Sequence, residues 1–140
     1  MKTILAAVDG SKPSERAVRM AADLALRLGA QLTLVHVLEP MFIPTEVGGV
    51  VLAQIGEDRR KEAQRLLRDA ETALKETGLT VHRVVMEGQV ADGIAELASS
   101  QGFDMVVIGS RGRGAAARVL LGSVSDRLAH ICERPILIVR

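Results

Sequence analysis

The sequence predicts an α/β fold: a doubly wound, five-stranded parallel sheet of order 3-2-1-4-5, with helices on both faces. Three observations point there. Five short apolar runs alternate with helix-period stretches, the pattern of strand–helix–strand units rather than of hairpins. Most of the runs are apolar at successive positions, as strands covered on both faces require. The chain has 140 residues, about one ordinary domain. That length buries roughly 68–70% of the unfolded surface, so residues 1–140 read as a single domain.

The elements follow in order. The first strand, TILAAV (3–8), runs into Asp9-Gly10-Ser11. A helical stripe follows in Ala17, Met20, Ala21, Leu24 and Leu28, with Pro13 in the first turn and Gly29 just past the end. QLTLVHV (31–37) is the second strand. Residues 38–52, LEPMFIPTEVGGVVL, contain two prolines and a glycine pair without clear periodicity. They read as a long connection, a kind that often carries function. Ala63, Leu66, Leu67, Ala70 and Leu74 stripe the next helix before Gly78, and its many charges read as a solvated face. VHRVVM (81–86) alternates more than the other strands, as suits a sheet edge. Val90, Ile94, Leu97 and Ala98 mark a shorter helix, and DMVVIG (104–109) is the fourth strand. Leu121, Val124, Leu128 and Ile131 stripe the last helix, before the fifth strand, PILIVR (135–140).

Composition narrows the function. The formal net charge is +1 and the only aromatics are Phe42 and Phe103. Neither a phosphate-backbone footprint nor a base-stacking platform is available, which argues against nucleic acid and membrane surfaces as partners. Cys132 is the only cysteine, so no internal disulfide forms, in keeping with a reducing compartment. The opening MKTILAAVDGS has too short an apolar run for a secretory signal, and no stretch approaches the length of a membrane span. The cytoplasm is the expected location. His36, His82 and His130 lack metal-ligand spacing and read as packing or surface residues. Cys132 reads as a small core residue, and Asp126 and Arg127 as the solvent side of the last helix. Met41 and Phe42 read as surface, with a lid over the site the alternative. No catalytic or metal-ligand set can be assembled.

In the predicted sheet the strand order reverses between strands 1 and 4, and ligands of such sheets bind outside the carboxyl ends there. Strand 4 ends in GSRGRGAAARVLLGSVSDRL (109–128), with four of the thirteen glycines and four arginines. A P-loop is ruled out because Ala115 stands where its Lys must be. The dinucleotide pattern Gly112, Gly114, Ala117 lacks the acidic residue its fingerprint needs at the end of the next strand. What remains is G-x2-G-x9-G-S: Gly109, Gly112, Gly122 and Ser123. Glycines let backbone approach a ligand, and a helix opening at Gly122-Ser123 would aim unpaired N–H groups at phosphate. Arg111 and Arg113 can pair with phosphate oxygens. The plainer alternative is a structural loop with Ser123 as an N-cap.

These stretches resemble the ATP-binding subclass of the universal stress proteins, over essentially the whole chain. The likeness lies in ILAAVDGS, LTLVHVLEP, VVIGSRGRG and LLGSVSDRLAHICERPILIVR. The resemblance implies that Asp9, with Ala7, lies beside the nucleotide and that the Val37 backbone meets adenine. It implies that Ile108, Gly109, Arg111, Gly112, Gly122, Ser123 and Val124 meet ribose and phosphates. It also implies a homodimer through the last strand, 135–140. The ligand is then ATP, or ADP or AMP, and the role a nucleotide-dependent stress sensor or signalling module read by a downstream protein. On chemistry alone, adenine would lie between Val37 and Ile108. Asp9, repelled by phosphates, would meet ribose or a bridging Mg²⁺. No general base for efficient hydrolysis stands out. The rival readings are a slow ATPase or nucleotidyl transferase, and a nucleotide-free dimeric interaction protein.

Overall fold

The computed structural model describes residues 1–112 and 120–140. The strands are β1 (Thr3–Ala7), β2 (Gln31–Leu38), β3 (Val81–Glu87), β4 (Met105–Gly109) and β5 (Ile136–Val139). The helices are α1 (Lys12–Leu28), α2 (Gly49–Thr72), α3 (Val90–Ser100) and α4 (Ser123–Ile131), with a 3₁₀ turn at Lys75–Thr77. The strands form one sheet of order β3-β2-β1-β4-β5, and every neighbouring pair is parallel. This is the predicted topology, with strand ends shifted by a residue or so.

Side chains of a strand alternate between faces, and β1 sorts the core accordingly. Ile4 and Ala6 pack on Ala17, Ala21 and Ala25 of α1 and Leu67 of α2. Leu5 faces the other way, onto Ala91, Ile94 and Ala98 of α3 and Leu128 of α4. Helices α1 and α2 therefore cover one face, and α3 and α4 the other. β3 and β5 are the edges, and both are only partly buried.

Two expectations need correction. Met20 and Leu28, placed on the buried stripe of α1, are 43% and 49% exposed. The helix is rolled so that Ala17, Val18, Ala21, Ala22 and Ala25 face the sheet. Small side chains let its axis lie close to the strands, and the larger ones fall on its flanks. The connection read as 38–52 shortens to 39–48, because α2 begins at Gly49. Its first turn has no visible stripe because it buries nothing: Val50, Val51 and Leu52 are all exposed.

Local chemistry sets the remaining boundaries. The Ser11 hydroxyl accepts from the Ser14 N–H and caps α1, which ends at Gly29 in the left-handed region, φ 62°. At the opposite end of the sheet, Asp104 Oδ2 accepts from the backbone N–H of Lys2 (2.7 Å) and Thr3 (3.0 Å). These bonds hold the Asp104 carboxyl below its ordinary pKa, and they tie the start of β1 to the residue before β4.

Candidate functional site

The carboxyl ends of β1 and β4 lie side by side, since Ala6 pairs with Val107. A cavity of about 740 Å³ opens there. Each of the ten residues expected at the site lines it: Ala7, Asp9, Val37, Ile108, Gly109, Arg111, Gly112, Gly122, Ser123 and Val124.

The loop from β1 to α1 forms one wall. Asp9 Oδ1 accepts from the Ser11 N–H at 2.8 Å, so the carboxylate closes its own turn. The buried Ser14 hydroxyl donates to Ala7 O (3.3 Å) and accepts from the Asp9 N–H (3.0 Å), which locks the strand end to the first turn of α1.

Gly109, Arg111, Gly112 and Gly122 form the facing wall, and the three glycines among them sit where a side chain would be crowded. A Cβ on Gly109 would lie 2.7 Å from the Pro13 carbonyl carbon, so α1 could not approach β4 as it does. A Cβ on Gly122 would lie 3.1 Å from Arg111 Cα and 3.4 Å from the Gly112 nitrogen. The Gly122 N–H donates to Ser110 O at 2.6 Å, and the Ser110 N–H to Val139 O at 2.7 Å. Gly122 is thus joined to the residue that follows β4, and that residue to β5. Gly122, not Ser123, is the N-cap, and it has no side chain to bond the first turn. Ser123 is the first helical residue and is exposed. Gly122, Ser123 and Val124 line the cavity, so the amino terminus of α4 brings its partial positive charge to it. Arg113, considered for phosphate pairing, and Gly114 and Ala117 of the dinucleotide pattern lie outside the described residues.

Some lining residues escaped the sequence reading. Arg59, Glu62, Ala63 and Leu66 of α2 reach the cavity, and the Arg59 guanidinium donates to Glu39 O at 2.6 Å. Part of the helix face read as solvated thus borders the site. Arg59 and Glu62 precede Ala63 and Leu66 at helical spacing, a signal that could have found them. Ser125, 2% exposed, also lines the cavity. His36 Nδ1 lies 2.6 Å from Val8 O, so that nitrogen carries the proton and the ring braces the β1 end. Met41 and Phe42 do not line the cavity, and Phe42 is 91% exposed, so neither covers the site in this structure. Cys132 packs against the core on the α3–α4 side, as expected. Asp126 and Arg127 are exposed, and Arg127 makes a two-pronged ion pair with Asp92 on α3. Among the described residues, no group of three or more His, Cys, Asp and Glu could hold a metal ion.

The model of the universal stress protein family matches residues 1–140. This chain belongs to the universal stress protein family. A universal stress protein of Mycolicibacterium smegmatis is 38% identical over 97% of the chain, which spans 47% of that relative's length. The solved universal stress protein UspA from Lactobacillus plantarum superposes with a TM-score of 0.89. That match covers 99% of this chain and 97% of the other at 22% identity, and it shows the shared fold. A universal stress protein solved in complex with cAMP is 27% identical, with a TM-score of 0.76 and coverage of 99% and 97%.

Proposed function

We propose that this universal stress protein binds an adenine nucleotide, ATP foremost, in the cavity at the ends of β1 and β4, and acts as a nucleotide-dependent stress sensor or signalling module. The observation that carries this is the glycine floor at the α4 amino terminus. Gly122 packs so closely on Arg111 and Gly112 that a side chain there would press on the backbone that lines the cavity. The cAMP complex of a relative supports an adenine nucleotide as the ligand class.

In this proposal Val37 and Ile108 sandwich adenine, in place of the aromatic stack this chain lacks. Gly109, Gly112, the close-packed Gly122 and the N–H groups of Ser123 and Val124 cradle the phosphates, and Arg111 adds a charged donor. Asp9, with Ala7 beside it, meets ribose, or a Mg²⁺ that would screen the phosphates; one carboxylate plus phosphate oxygens is an ordinary Mg²⁺ environment. Charge-assisted bonds contribute about 1.5–3 kcal/mol each. A few of them, less ordering costs, reach the roughly 8.2 kcal/mol of a micromolar complex. Turnover is slow or absent in this reading, because no general base is assigned. Residues 1–140 act as one domain, in the cytoplasm; among the described residues no helix is long and apolar enough to cross a membrane.

A homodimer belongs to the same proposal. β5 is an edge strand of four apolar, half-buried residues, a pairing template unless covered. Sedimentation should show a dimer, and a monomer at every concentration would remove this part.

The deciding experiment is mass spectrometry of nucleotide released on denaturation, paired with an ATP titration of the stripped protein. Released ATP or ADP and micromolar rebinding are expected. A protein that carries no nucleotide and ignores ATP would leave the dimeric interaction protein as the better reading.

A further inference from the structure

The family motif stops at Ser123, but the serine that the structure engages is two residues further on. The Ser125 hydroxyl lies 2.8 Å from Ser110 O and 3.0 Å from Gly122 O. Both carbonyls already have backbone donors, from the Gly122 N–H (2.6 Å) and the Asp126 N–H (2.9 Å). The hydroxyl therefore rescues no orphaned acceptor. What it adds is position. Its proton bonds the first turn of α4 to the residue that follows β4, in a site closed to water where such a bond is strong. Ser110 is itself 1% exposed and fixed to β5 through Val139 O. The α4 amino terminus is thus referenced to the sheet.

We propose that Ser125 is a positioning residue that holds the α4 amino terminus in register with β4, so that the phosphate cradle is set before a ligand arrives. The inference rests on the nucleotide site proposed above. It assigns Ser125 no contact with the ligand. Its effect falls on the phosphates, which the α4 N–H groups meet, and spares adenine, held by Val37 and Ile108.

The test uses Ser125→Ala in the full chain, with ATP and adenosine titrated separately. Both carbonyls keep a donor in the variant, so the fold should survive. ATP binding should weaken about tenfold, the size of one well-placed hydrogen bond, and adenosine binding by less than about twofold on the same grounds. An unchanged ratio of the two affinities would overturn the proposal, because general loosening weakens both ligands alike. Amide hydrogen exchange on the ligand-free wild-type protein gives a second reading that needs no variant. Slow exchange at Gly122, unaltered by ATP, is expected; protection that arises only when ATP is added would overturn presetting. A wild-type protein that binds neither ATP nor adenosine marks a different failure, that of the nucleotide site itself, and this proposal falls with it.

Discussion

Asp9 and Gly112 meet across the cavity: a Cβ on Gly112 would lie 2.8 Å from Asp9 Oδ2. The other carboxylate oxygen holds the Ser11 N–H. One side chain thus shapes the turn after β1 and limits what the glycine-rich segment can carry. Gly112→Ala should push the carboxylate aside, because only the end of a side chain must move. We expect ATP affinity to fall roughly tenfold, about the value of one charge-assisted hydrogen bond, with the denaturation midpoint nearly unchanged. Titration and thermal melting on the same sample check this. A large stability loss with intact binding would contradict it.

Gly109→Ala should behave in the opposite way. Its Cβ would meet backbone, 2.7 Å from the Pro13 carbonyl carbon and 2.8 Å from the Ser14 nitrogen. Neither atom can turn away unless α1 shifts as a body, and the buried face of α1 is packed against the sheet. Overpacking of this kind costs about 1–3 kcal/mol. Chemical denaturation should show that loss with or without nucleotide, and an unchanged midpoint would mean that α1 yields more easily than its packing implies.

Gly122→Val tests the cradle directly. Gly122 has φ −73° and ψ 162°, an extended conformation open to any residue, so no backbone strain follows. The obstacle is space: Arg111 Cα at 3.1 Å, with the Gly112 nitrogen and Ser110 O at 3.4 Å. The branched side chain should push Arg111 and Gly112 out of place in the cavity wall and abolish ATP binding while far-ultraviolet circular dichroism stays that of the wild-type protein. Retained micromolar binding would remove Gly122 from the site.

The uneven legibility of the sequence has physical causes. Strand order and the switch point could be read because apolar runs and their alternation with helices report sheet burial directly. The ten residues expected at the site line one cavity because they cluster at three strand ends and one helix start, and a family motif runs through four of them. Met20 misled because large apolar residues dominate a periodicity count, whereas close helix–sheet packing selected Ala22 and Ala25. The start of α2 was hidden because Val50 and Val51 are helical without being buried. Arg59 was masked by its charge, although its helical position puts it beside Ala63. Ser125 left no trace in the pattern, since its importance lies in two carbonyls brought near it by the return of the chain to β4.

The last prediction concerns acid. Asp104 is held below its ordinary pKa first by the Lys2 N–H and then by the Thr3 N–H and hydroxyl. A carboxylate depressed in the folded state stabilises fully above its unfolded value, about 3.9. That contribution is lost as pH falls through the folded value. Asp104→Asn should therefore lower stability at neutral pH, and the gap from the wild-type protein should narrow below about pH 4. Asp92 is depressed in the same direction, first by its hydrogen bond from Arg127, so Arg127→Gln should give a gap with the same pH dependence. Salt separates the two: the exposed Asp92–Arg127 pair is screened at high ionic strength, whereas the bonds from the Lys2 and Thr3 N–H groups to Asp104 are short-range and persist. Denaturant melts across pH, at low and high salt, check both variants. A gap for Asp104→Asn that stays constant from neutral to strongly acid pH would show that Asp104 stabilises the strand ends by packing rather than by charge.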